Sequence, residues 1–268
     1  MDYLQKIIEN KREELAETKR VRPLKQIKGG LDTESGLSLK KSLLDTTPAI
    51  IAEIKRKSPS KGKLRVIRDT AKIAGMYAAS GAAAISVLTD KRYFCGSPAD
   101  LQKIKQHVDV PVLRKDFIID PYQVYESKYY GADAILLITS CLGKNRLSEL
   151  LNLSKSIGME TLIEVESEKD IENLEGLEVE IVGVNNRNLR TFEQKIDISF
   201  RLFDYLPPAS VKISESGLSD AGQLADLFKT GYRGFLIGET LMRAANPGKT
   251  LCTLIKEFKK NVYEKNAR

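Results

Sequence analysis

Residues 49–55 read AIIAEIK, an apolar run that ends in two charged residues spaced two apart. A strand that is apolar on both faces is one buried on both faces, as in a parallel sheet. The pattern recurs at AAISVLT (83–89), PVLRKD (111–116), AILLITS (134–140) and TLIEVE (161–166), then at IVGVNN (181–186), SVKISES (210–216) and GFLIGE (234–239). The starts lie roughly 20 to 35 residues apart, with helical patterns between them. Eight βα units without a break in rhythm predict an α/β fold, a closed (β/α)8 TIM barrel rather than an open sheet.

The connecting segments carry their own punctuation. Residues 67–80 are Ala-rich with apolar positions at helical spacing, and Gly81 stops them. Asp120 is a cap for a helix over 121–130, with Pro121 at its first position and Gly131 after it. Residues 219–230 open on a Ser-Asp cap and end before Gly231. Ahead of the barrel, Leu4, Ile7, Ile8 and Leu15 form one stripe, predicting an amphipathic helix over 2–19 that packs over one barrel end. Residues 21–40 read as a polar loop, and the ending KEFKKNVYEKNAR as a mixed-charge helix. The expected organisation is a single domain over 1–268, with an N-terminal helical extension (1–48) on a barrel (49–268).

Composition narrows the chemistry. The 268 residues include 43 Lys and Arg against 36 Asp and Glu, a formal charge of +7, so a nucleic-acid partner has to be considered. The basic residues are interleaved with acidic ones and no RNP-like or finger motif occurs, so none is expected. A modest positive potential suits an anionic small molecule equally well. No apolar run approaches the roughly 20 residues that span a bilayer, and the charged start lacks a secretory signal. A soluble, cytoplasmic protein without a membrane partner is the expectation. Cys95, Cys141 and Cys252 are isolated, and His107 is the only histidine. A disulfide framework, a Cys/His zinc site and a histidine-based triad are thereby disfavoured. Chemistry falls to Lys, Glu, Asp, Arg, Ser or Asn, with no metal or cofactor expected.

Barrel enzymes place their chemistry at the C-terminal ends of the strands. Glu53 and Lys55 continue the row of Ile51 at the end of strand 1, Lys115 follows Leu113, and Glu164 follows Leu162. Strand 6 carries Asn185 and Arg187 two apart, and strand 7 ends at Glu215. One ion pair would be structural, but charges on five strand ends are expensive to desolvate, which favours a functional cluster. Ser216-Gly217 after strand 7 and Gly238-Glu239 after strand 8 are placed to let backbone N–H groups approach a phosphate. The loop after strand 1 adds Lys57 and Ser58 beside the same mouth.

Here the chain resembles a known family. Glu53-Ile54-Lys55-Arg56-Lys57-Ser58-Pro59-Ser60 is similar to the strand-1 signature of indole-3-glycerol phosphate synthase. Tyr93–Ser97, Leu113–Phe117, Glu164-Val165, Val184–Leu189, Ser214–Gly217 and Leu236–Glu239 resemble its later motifs, in order, over nearly the whole chain. Two positions depart: Glu166 stands where many members have histidine, and Cys95 where another small or polar residue is usual. The resemblance implies ring closure, decarboxylation and dehydration of 1-(2-carboxyphenylamino)-1-deoxyribulose 5-phosphate, without a cofactor. It implies Lys115 as the ring-closure acid, its pKa expected to be lowered by burial and neighbouring cations. Glu164 becomes the acid–base residue of dehydration, while Glu53 and Lys55 set the local field. Asn185 and Arg187 would orient the anthranilate ring and its carboxylate, pointing away from the turns after strands 7 and 8. Phe94, Phe117, Leu136, Leu189 and Leu236 are candidates for an apolar wall, and a monomer is the expected state. Two rivals stay open: a phosphoribosylanthranilate isomerase-like barrel, and a non-catalytic binder of anionic ligands. The first wants a cysteine at the end of strand 1, where this chain has Glu53 and Lys55. The second leaves the acidic residues at the mouth unexplained.

Overall fold

The computed structural model describes residues 3–31 and 36–264. Its eight parallel barrel strands are β1 (Ala49–Ile54), β2 (Ala84–Leu88), β3 (Val112–Lys115), β4 (Ala134–Ile138), β5 (Glu160–Val165), β6 (Ile181–Asn185), β7 (Val211–Glu215) and β8 (Gly234–Ile237). Each pairs with its neighbours in chain order, and β8 closes onto β1 through Ala49↔Gly234 to Ala52↔Ile237. The predicted TIM barrel is therefore present. Period-two alternation divides the core. Ile51, Leu113, Leu136, Leu162, Ile181 and Ile213 fill the barrel, whereas Ile50, Ile85, Ile135 and Val182 pack outward against the helices.

The helices follow the expected punctuation with shifted starts. The segment read as 67–80 is helical from Thr70 to Ala79, because Asp69 caps it by accepting from the Lys72 N–H at 3.2 Å. The next is Pro121–Tyr129, and the third begins at Ala221, where Asp220 accepts from Gly222 and Gln223. The closing segment is α-helical over Pro247–Lys259 and continues as a π turn to Glu264. Among the described residues no helix is long and apolar enough to cross a membrane.

The extension holds three helices, α1 (Tyr3–Val21), α2 (Leu24–Gly29) and α3 (Leu39–Asp45). This corrects the reading of 21–40 as loop. Ile27 of α2 is buried in a cluster with Leu15 and Tyr122, and Ser38 caps α3 by accepting from Lys41. Asp2 of the helix expected over 2–19, residues 32–35 of the expected loop and 265–268 of the closing segment lie outside the described residues.

The extension covers both barrel ends. Leu39 and Leu43 of α3 join the interior cluster at the N-terminal end, where Ser42 donates to the Ala83 carbonyl just ahead of β2. The α1 helix lies at the opposite end, over the loops that follow the strands. Its stripe is buried at Leu4, Ile7 and Leu15, and its Lys11 reaches Asp90 (2.8 Å) and Asp116 (3.0 Å), just after β2 and β3. Arg114 and Thr89 also bond Asp116. The cations Lys11 and Arg114, with the Thr89 hydroxyl, outweigh its burial and hold its carboxyl well below the usual range. Removing one partner of a buried ion network strands the others. Lys11→Met should therefore lower the unfolding free energy by about 3 kcal/mol, read as a drop in urea midpoint at unchanged m-value.

Candidate active site

The polar side chains at the C-terminal strand ends surround a cavity of about 380 Å³. At its floor the Lys115 ammonium stands 2.9 Å from Glu164 and 2.9 Å from Glu215, both carboxylates buried. The second oxygen of Glu164 accepts from the Asn185 amide at 3.0 Å. The expectation that cations surround Lys115 is overturned, because its neighbours are carboxylates. Burial pulls its pKa down, but Glu164, Glu215 and Glu53 together outweigh that and raise it well above the ordinary lysine value. Glu215 moves the other way from a normal carboxylate. Burial, with Glu164 and Glu53 nearby, pushes it up to about 7 against the pull of Lys115.

Two glycines make these carboxylates possible. A Cβ on Gly183 of β6 would lie 2.1 Å from a Glu215 oxygen, and one on Gly238 would lie 2.2 Å from a Glu53 oxygen. The space at Gly238 is thus occupied by Glu53, which pairs with Lys55 across the same mouth. Gly183 escaped the sequence reading, although a glycine within a strand marks a close approach.

The remaining expected residues mostly assemble. Phe94 and Phe117 face each other at 6.3 Å, and with Leu136, Leu189 and Leu236 they form an apolar wall. Ser58, Ser216, Gly217 and Glu239 line the opposite side. Lys57 is not among the lining residues; it pairs with Lys63 in a short hairpin. Glu215 lies beneath the cavity and acts on it through Lys115.

Arg187 departs from the expectation that it points away from the turns after β7 and β8. Its guanidinium bonds Ser60 (2.5 Å) and Gln194 (2.6 Å) and lies 3.7 Å from Glu239 after β8. Ser60 and Gln194 line the mouth; Ser60 falls within the strand-1 signature, whereas no local pattern marked Gln194 in the sequence.

The turns after β7 and β8 lie against each other, since Thr240 donates to the Leu218 carbonyl at 2.8 Å. Ser216 and Gly217 are both left-handed (φ 66° and 81°), and a Cβ on Gly217 would fall 2.6 Å from the Gln194 amide nitrogen. A side chain there meets Gln194 first, in a backbone conformation that costs roughly 1–2 kcal/mol for a non-glycine residue. Gly217→Val should therefore lose thermal stability together with substrate affinity. Differential scanning calorimetry and KM measured on one preparation check both.

The family model for indole-3-glycerol phosphate synthase matches residues 4–254. Among curated relatives, the indole-3-glycerol phosphate synthase of Carboxydothermus hydrogenoformans is 43% identical over 262 residues, covering 94% of this chain and 99% of that protein. That of Salinibacter ruber is 44% identical over 263 residues, covering 97% of each. Among solved structures, an orotidine 5'-phosphate decarboxylase from Pyrococcus horikoshii superposes with a TM-score of 0.60 at 15% identity, covering 78% of this chain and 99% of that one. That likeness speaks for the barrel alone. The isomerase-like barrel and the non-catalytic binder are not favoured by these matches. The chain belongs to the indole-3-glycerol phosphate synthase family.

Proposed function

We propose that the mouth closes the indole ring of 1-(2-carboxyphenylamino)-1-deoxyribulose 5-phosphate, in tryptophan biosynthesis, with Lys115 as the closing acid. The observation that carries this assignment is the Lys115 ammonium held between Glu164 and Glu215 on the floor of an apolar-walled cavity. The ring carbon bearing the carboxylate attacks the ribulose carbonyl carbon, and the carbonyl oxygen takes a proton from Lys115. The carboxylates keep Lys115 charged, so the proton is in place beforehand. It moves only to an acceptor as basic as the developing alkoxide. Breaking the carbon–carboxylate bond releases carbon dioxide and returns its electron pair to the ring.

Dehydration needs a proton on the leaving hydroxyl and removal of one from the ring system. Glu164 has one oxygen on Lys115 and one on Asn185, which supports giving it this second role. Glu53 and Lys55 shape the field, and Asn185 faces the aromatic ring. Arg187 orients the substrate carboxylate from the rim, where its ties to Ser60 and Gln194 hold it. The phosphate lies against the backbone of Gly217 and Gly238 with Ser216 and Glu239 beside it, and the adjoining turns support that placement. Ser58 belongs to the binding surface and Lys57 contributes charge from outside it. The extension and barrel act as one unit, and we read that unit as a monomer.

Lys115→Met should retain substrate binding and lose roughly 10² to 10⁴ in kcat, the usual contribution of a positioned acid. Glu164→Gln should still close and decarboxylate. Single-turnover quenched flow with a labelled carboxylate should then show carbon dioxide released before indole absorbance. Release of label by Lys115→Met but not by Glu164→Gln would reverse the two roles. Arg187→Lys replaces a planar fork by a point charge. It should raise KM about tenfold, and less for an analogue lacking the carboxylate.

A further inference from the structure

Glu166 is a partly buried carboxylate that the proposed chemistry does not use. It follows β5, two residues beyond Glu164, and its main-chain N–H donates to Asp170 at 3.1 Å. Asp170 is itself fixed by the Ser167 hydroxyl at 2.8 Å, so the base of Glu166 is clamped. The side chain turns toward the loop after β6, where it accepts the Leu189 N–H at 2.9 Å.

That loop is otherwise bonded mostly to itself. Asn188 accepts from the main-chain N–H groups of Arg190, Thr191 and Phe192, and donates its own to Glu193. Two of its side chains, Leu189 and Phe192, line the mouth, and Phe192 is held left-handed at φ 61°. A strained residue persists only where its surroundings hold it. Tyr3 of α1 supplies an outer hold, with its ring 4.8 Å from Phe192 and its N–H 3.5 Å from the Arg190 carbonyl. Glu166 supplies the hold from the barrel side.

We propose that Glu166 is a positioning residue: its carboxylate keeps the loop after β6 seated, so that Leu189 and Phe192 form the wall of the substrate cavity. The inference deepens the proposed site and rests on that reading. A charged acceptor makes roughly twice the hydrogen bond of a neutral one, so the hold depends on ionisation. The groups facing Glu166 are Glu164 on β5, Asp170 on the following helix, Arg190 on the loop and the Cys141 thiol after β4. Burial, with Glu164 and Asp170, raises its carboxyl to about 7 against the Leu189 N–H and Arg190. Ionisation therefore grows as pH rises through that value and fades as pH falls through it. The loop is held most firmly on the alkaline side.

The test compares Glu166→Ala and Glu166→Gln with the unaltered chain, measuring KM and kcat from pH 6 to 8. Glu166→Ala should raise KM about three- to tenfold, the equivalent of one ordinary net hydrogen bond, with kcat nearly unchanged. Glu166→Gln keeps an acceptor but no charge, so at pH 8 it should recover only about half of that loss on a logarithmic scale. The ratio of its KM to that of the unaltered chain should fall toward one as pH drops to 6. Substrate phosphate and Glu215 titrate in both proteins and cancel in this ratio. An unchanged KM in Glu166→Ala, or a ratio flat with pH, overturns the proposal. If Glu166→Ala does not fold, the ratio for Glu166→Gln decides alone. Lys115→Met separates the underlying reading: full turnover in that variant removes the site itself, whereas a dead Lys115→Met with an indifferent Glu166 removes only this inference.

Discussion

The bridge from Lys115 to Glu164 and Glu215 is the interaction on which the mouth depends. One ammonium between two buried carboxylates leaves an excess negative charge in a low-dielectric floor. Part of that excess is relieved at Glu215, whose carboxyl is pushed toward its protonated form by burial and by Glu164 and Glu53. Part is relieved by the Asn185 amide on Glu164. These residues stand on β3, β5, β6 and β7, so their spacing is set by barrel register, as in Asn185↔Glu215 across β6 and β7. A site on strand ends inherits the rigidity of the sheet.

Room for so many charges comes from missing side chains. Gly183 and Gly238 seat Glu215 and Glu53 where any other residue would place a carbon on a carboxylate oxygen. The interior row changes character along the axis, from Ile51, Leu113 and Leu162 to Glu53, Lys115 and Glu164. The lower layers are oil-like and supply stability, and the top layer spends some of it on chemistry. Such division is expected where consistency between levels is broken for function.

Much of this was legible beforehand, for definite reasons. Strands buried on both faces leave continuous apolar runs, and all eight runs became barrel strands. Period-two spacing placed Glu53, Lys55, Lys115 and Glu164 at the mouth, and the family resemblance supplied the roles expected of Lys115 and Glu164. Helices α2 and α3 were missed because they are six and seven residues long and hold their places by tertiary contacts, too short for periodicity to register. The sign of the shift at Lys115 was missed for a different reason. It depends on which charges surround the ammonium, and strand order alone does not say that Glu215 reaches across β6 to it. Ser60 meets Arg187 from the loop after β1, and Gln194 meets it from the far side of its own loop, pairings that no local spacing encodes.

The placement of α1 has a consequence for how the chain is made. Tyr3 and Lys11 leave the ribosome well before the residues they meet, since Lys11 docks on Asp90 and Asp116, and Tyr3 on Arg190 and Phe192. The helix must wait while more than half of the polypeptide is synthesised before its last partner exists. During that interval Leu15 can already meet Ile27 and then Tyr122, whereas Tyr3 has no native partner until the loop after β6 is made. An early segment is thus among the last to be fully locked.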